Sequence, residues 1–318
     1  MNYFFTLLGS LFILVTLVSL TLLLRWRRIL TVDHETLFSR LVTDVALPAL
    51  IFFSLSRRTF EAQKLLLALI MLGTILIACL LGFIAGKLLK MDRKSLGAFV
   101  LVSGWGSSST LGYALITQVF HKSATAMQDA MIISELGAGI PLFIFAIPLA
   151  MYFGRQHADA KSVMKSVLEF FYSPIFIAVV LGIAVSFLKL PSDNYAVKTV
   201  YNLFNVVGNS LELFTAFAIG LMLQKIPLKH LWPPIVALFC INLLAEPLIA
   251  LAGCHIFNVP KLAEEVLVLE AAMPAGAVAA VIAARYGCNG KLASALVIAM
   301  YFLSLGTIPL IYLLTTLA

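Results

Sequence analysis

Apolar runs of about twenty residues follow one another along this chain with only short polar pauses, and that rhythm limits what it can become. A helix needs about 20 apolar residues to cross roughly 30 Å of hydrocarbon. Ten stretches of that kind can be marked, at 3–24, 36–56, 65–89, 95–119, 126–153, 166–188, 198–223, 230–256, 262–286 and 292–316. A membrane barrel would need short alternating strands instead. At 62% hydrophobic and 12% charged residues, the chain is no soluble globular domain. The expected fold is an all-α polytopic membrane protein, with all 318 residues in one lipid-embedded domain.

The net charge of +7 sits in short loops between the runs, so it reports topology rather than nucleic-acid binding. With the N-terminus outside, the inside loops and flanks hold 15 Lys and Arg and the outside ones 7. That bias predicts both termini outside the cytoplasmic membrane, although Arg57, Arg58 and Lys64 run against it. The first run, Tyr3 to Leu24, has no base before it and Arg25, Arg27 and Arg28 after it. It reads as a retained first helix rather than a cleaved signal. Cys79, Cys240, Cys254 and Cys288 lack metal-ligand spacing and read as structural thiols; no metal or cofactor is expected.

Two runs are interrupted. Glu270 to Tyr286, EAAMPAGAVAAVIAARY, carries Pro274 and Gly276 at its centre. Proline lacks the amide proton and clashes with the preceding turn, and glycine adds backbone freedom. Ser103 to Ala114, SGWGSSSTLGYA, is interrupted by Gly104, Gly106, Gly112 and a cluster of hydroxyls. In hydrocarbon such breaks survive only inside protein or beside a cavity. Ten runs divide five and five, and an odd number per half inverts the second half. Residues 1–154 and 160–318 are therefore expected to be inverted repeats, and LFILVTLVSLTLLL weakly echoes PIFIAVVLGIAVSFL at their starts. The broken runs are then the fourth and ninth, the helices that unwind and cross in such folds. Matching interruptions in two halves point to a transporter's binding site.

Here the chain resembles a bacterial member of the auxin efflux carrier family, within the bile acid/sodium symporter-like superfamily. The stretches that carry the resemblance are ALPALIFFSLS, YSPIFIAVVLGIAVSFL, VLEAAMPAGAVAAVIAARYG and YFLSLGTIPLIYLL. It implies ten helices with the fourth and ninth crossed, and transport of small organic anions such as dicarboxylates or auxin. One departure stands out. The family pattern Asn-x-x-x-x-Gly-x-Pro reads Ser107, Gly112 and Ala114 here, so the Gly is kept while the amide and the Pro are gone.

No Lys or Arg lies at the centre of any run, so an anion at the midplane must be held by other means. Half-helix starts carry about half a positive charge and free amides. The candidate substrate-binding residues are Ser107, Ser108, Ser109, Thr110 and Gly112 in the first half and Pro274, Ala275 and Gly276 in the second. Pro48 joins them as a kink that widens the cavity, and Asn209 as a polar group in the seventh run. Close helix packing is the plainer use of such small residues. Intramembrane carboxylates mark ion pathways. Glu212, Glu135 and Glu270 are the candidates for a coupling proton or sodium ion, and Asn209 and Glu212 are spaced to share a helix face. Glu246-Pro247 reads as a structural acid at a kink. Arg285-Tyr286 reads as an interfacial anchor, with an inner gate as the alternative. Asp33, His34 and Glu35 read as a helix start rather than a metal cluster.

The expected function is a secondary active transporter that moves a small organic anion by alternating access, alone or as a homodimer. An enzyme is not expected, since HExxH, GxGD and Asp-rich diphosphate motifs are missing. A ligand sensor or channel on the same fold is the alternative.

Overall fold

The computed structural model describes residues 2–57, 65–120, 123–154, 172, 174–188, 195–222 and 228–317. Among these residues the chain is helical, and its only strand-like feature is one isolated bridge. The first half contains α1 (Asn2–Trp26), α2 (His34–Leu41), α3 (Leu47–Ser56), α4 (Leu65–Leu88), α5 (Arg93–Gly104), α6 (Tyr113–Val119), α7 (Ala124–Ile132) and α8 (Ile147–Gly154). The second contains α9 (Pro174–Phe187), α10 (Tyr195–Asn209), α11 (Leu211–Met222), α12 (Leu228–Leu238), α13 (Glu246–Ile256), α14 (Lys261–Ala271), α15 (Ala277–Arg285) and α16 (Gly290–Leu317). Six helical stretches are long and apolar enough to cross a membrane: His34–Phe53, Leu65–Leu88, Thr125–Gly154, Tyr195–Met222, Leu231–Ile256 and Gly290–Thr315. Thr16–Trp26 and Pro174–Phe187 are shorter apolar helices. The runs at 95–119 and 262–286 are each divided in two, at the places the sequence predicts.

Proline explains most of the irregularity inside the long helices. Pro48, Pro141, Pro148 and Pro247 each stand two residues beyond a π-helical turn, at Val42–Ala46, Ile133–Gly139, Leu142–Ala146 and Phe239–Ala245. A proline in a helix cannot donate, and its ring collides with the carbonyl four residues back. Widening that turn relieves the collision. In three cases the residue before the proline donates five residues back: Leu47 to Val42, Ile140 to Glu135 and Glu246 to Ile241. The remaining π turn, Ser108–Gly112, ends two residues before Ala114 and so forms without a proline.

The broken runs lie inside. Every residue of α5 from Ser95 to Gly104 is buried, as is Val266 to Ala271 of α14. The helices around them turn apolar side chains outward, as α4 does with Leu69, Leu76, Leu80 and Ile84. That is the arrangement lipid favours. The end of the second broken run is pinned to the start of the first. Asn289 donates from its backbone to the Lys94 carbonyl at 3.1 Å and from Nδ2 to Ser95 Oγ at 2.9 Å. The helix start expected at Asp33–Glu35 is found, since α2 begins at His34 and His34 Nδ1 accepts the Thr31 amide at 3.0 Å. All four cysteines are free. In the turn after α15, burial pushes the Cys288 thiol up to about 12, which makes it inert.

Candidate functional site

The two breaks meet. Gly106 and Ala275 form an antiparallel bridge: the Ser107 amide donates to the Pro274 carbonyl at 2.8 Å, and the Gly276 amide donates to the Trp105 carbonyl at 2.7 Å. Each break thus satisfies polar groups that the other has freed, as a low-dielectric interior requires. Two glycines make the approach close enough. A Cβ on Gly106 would lie 2.9 Å from the Met273 carbonyl oxygen, and one on Gly276 would lie 2.9 Å from that of Trp105.

Beside this meeting point lies a cavity of about 360 Å³. Ser107 and Ser108 face it from the first break, and Gly276, Ala277 and Val278 face it from the start of α15. The first amides of a helix have no acceptor within it and carry the positive end of its dipole. Leu47, Leu50 and Ile51 close the apolar side. The hydroxyls are held in place. Tyr301, on α16, donates to Ser107 Oγ at 2.7 Å, and the Ser108 and Ser134 hydroxyls bond at 2.9 Å. Trp105 Nε1 donates to the Ala138 carbonyl at 3.2 Å and fixes the edge of the break.

One carboxyl group lies in the cavity wall and a second lies behind it. Glu135 lines the cavity and accepts from the Tyr113 hydroxyl at 2.8 Å. Glu270, one turn before the second break, is 1% exposed, and neither carboxyl oxygen has a hydrogen-bond partner among the described residues. Gly112 packs against Glu270, and Tyr113, the next residue, donates to Glu135, so consecutive residues hold the two acids. Gly112 packs so tightly that any side chain there would strike the Glu270 carboxylate. The glycine kept from the family pattern therefore makes room for an acid.

The sequence-predicted residues sort accordingly. Ser107, Ser108, Gly276 and Glu135 line the cavity. Pro274, Ala275, Gly112 and Glu270 build the breaks or pack behind them. Pro48 is half-buried and its neighbours, not Pro48 itself, face the cavity. Asn209 is exposed at the end of α10 and is not a lining residue. A single turn residue, Ser210, separates α10 from α11 within the Tyr195–Met222 stretch, with Asn209 before it and Glu212 after it. The side chains of Ser109, Thr110 and Glu212 lie outside the described structure. Arg285 does more than anchor: it lies 3.6 Å from Asp44, joining the end of α15 to the π turn at Val42–Ala46. Sequence reasoning missed Tyr301, Ser134, Thr215 and Tyr113. Each is a hydroxyl residue in a largely apolar helix, and only the first three face the cavity.

A multi-pass helical protein with a small, mostly apolar cavity that carries a few hydroxyls at two broken helices is the arrangement of a membrane transporter. The comparison with known families agrees: the family described as "Membrane transport protein" matches residues 6–312. The chain belongs to that family, the auxin efflux carrier family. It is also 24% identical over 272 residues to an uncharacterized transporter of Methanocaldococcus jannaschii, covering 83% of this chain and 84% of that protein.

Proposed function

We propose that this chain is a secondary active transporter that carries a small mono- or dicarboxylate across the cytoplasmic membrane by alternating access. The observation that carries the reading is the cavity at the paired breaks. It offers serine hydroxyls on one side and the start of a helix on the other, and no Lys or Arg lines it among the described residues. Such a site neutralises a carboxylate with partial charges, which bind without trapping. Its volume of about 360 Å³ is at the small end of the roughly 300–1,000 Å³ typical of small-molecule sites.

In this reading residues 1–154 and 160–318 are inverted five-helix repeats, the broken runs are their crossed fourth helices, and both termini lie outside. The substrate-binding groups are Ser107, Ser108 and the α15 start around Gly276, and Tyr301 orients Ser107. Glu135 and Glu270 form the coupling pair. Two carboxylates in one buried cluster ionise together only at high cost, so a shared proton stabilises them. A carboxylate substrate arriving beside Glu135 favours that proton further, which couples anion and proton movement. Counterflow of a labelled dicarboxylate in proteoliposomes tests this. Saturable exchange that a proton gradient drives is expected; an absence of exchange across a broad organic-acid panel overturns it.

A further inference from the structure

The cavity holds one polar group that the binding of a carboxylate at the breaks does not use. The wall supplied by α1, α3 and α11 is apolar, with Leu17, Leu47, Leu50, Ile51 and Leu211, except at Thr215. Thr215 stands one turn beyond Leu211 on α11 and is 4% exposed. Its Oγ1 is buried and has no hydrogen-bond partner among the described residues. The other polar side chains of the lining are engaged. Ser107 bonds with Tyr301, Ser108 with Ser134, Glu135 with Tyr113, and Trp105 with the Ala138 carbonyl.

Threonine in a helix has a ready partner, the carbonyl one turn back. Thr21, Thr43, Thr74 and Thr199 all donate to it. Thr215 forgoes that bond. Thr307 Oγ1 is also without a partner among the described residues, but Thr307 does not line the cavity. A buried hydroxyl left unpaired is costly, and valine would fill the same space without that cost. A threonine in a helix has more than one χ1 rotamer open to it, so its hydroxyl can turn to a group inside the cavity. It both donates and accepts, which suits a hydroxyl or a ketone, and it brings no positive charge for a second anion. We infer that Thr215 is a specificity-determining residue, and that the substrate carries, besides its carboxylate, a hydroxyl or ketone oxygen that pairs with it. The breaks then hold the carboxylate and α11 holds the second group, so one ligand joins two walls of the cavity.

This inference rests on the carboxylate reading and adds the selection among carboxylates. The test is a thermal-shift titration of the purified protein with matched short-chain acids, each unsubstituted, hydroxylated or oxo-substituted, for the wild type, Thr215→Val and Thr215→Ser. At least one hydroxy or oxo acid should bind the wild type about fivefold tighter than its unsubstituted parent, the worth of one hydrogen bond. Thr215→Val should erase that preference, and Thr215→Ser should keep it. Without ligand, Thr215→Val should not lower the Tm, because no bond is lost. A Thr215→Val protein that is less stable or does not fold marks a structural hydroxyl and overturns the inference. Equal affinities within every matched set in the wild type, or a preference that survives in Thr215→Val, overturns it and leaves the carboxylate reading standing. No shift of the wild type with any carboxylate overturns both.

Discussion

The break at Trp105–Ser107 and the break at Ala272–Gly276 differ in what interrupts the helix. The second contains Pro274, which would disturb a helix in any setting. The first contains no proline, and Ala114 replaces even the one that the family pattern would place beyond it. Yet the two backbones lie side by side and exchange two short hydrogen bonds. Mutual pairing, with a glycine on each strand to permit it, is thus a stronger cause of the open backbone than proline. The breaks also divide the labour. The first supplies hydroxyls to the cavity, and the second supplies a helix start there and a carboxyl, Glu270, one turn behind it.

Gly276→Val attacks the shared feature and should do the most damage. Its new side chain must displace the Trp105 and Gly106 carbonyl oxygens. Overpacking and a lost backbone pair together should cost on the order of 3 kcal/mol, visible as a lower Tm and lost transport. A variant of normal stability would break the pairing account. Glu270→Gln probes what only the second break carries. Proton-driven uptake should fall by roughly tenfold or more, the scale of a coupling of 1–3 kcal/mol, while counterflow persists. Unchanged pH dependence of uptake would remove Glu270 from the coupling pair. Tyr301→Phe probes what only the first break carries. It removes the bond to Ser107 and should cost about 1 kcal/mol in substrate affinity or stability. The smallest effects should come from proline itself. Pro274→Ala, and Ala114→Pro beyond a π turn already in place, should each change stability by less than about 1 kcal/mol. A large loss from Pro274→Ala would restore proline as the cause of the second break.

Much of this was legible in the sequence because hydrocarbon allows few solutions. The apolar runs, the two interruptions and the small residues within them are local signals, and the helices begin and break where those signals lie. Gly276, Ser107 and Ser108 could be named because small polar residues at a break have few other uses. Tyr301, Ser134 and Thr215 could not, since a hydroxyl in a largely apolar helix looks the same whether it bonds its own backbone or faces a cavity. Asn209 looked central because it lies three residues before Glu212 in the run at 198–223; in the structure it is exposed at the end of α10 and does not line the cavity. Glu246 reads as a structural acid from Pro247 beside it, and the structure adds a partner, the Asn242 amide one turn back. Widened turns precede Pro48, Pro141, Pro148 and Pro247 but not Pro233, Pro234 or Pro309, and Ser108–Gly112 widens without a proline, so proline alone does not place them.

The central claim is that the paired breaks hold a carboxylate between serine hydroxyls and a helix start. The most direct measurement is the thermal shift of the purified protein with a panel of mono- and dicarboxylates, run beside the Ser107→Ala/Ser108→Ala double variant. A ligand at 100 times its dissociation constant should stabilise the wild type by about 2.7 kcal/mol. The account predicts such a shift for one carboxylate class and its loss in the variant. An equal shift in both proteins would place the carboxylate elsewhere and contradict the account.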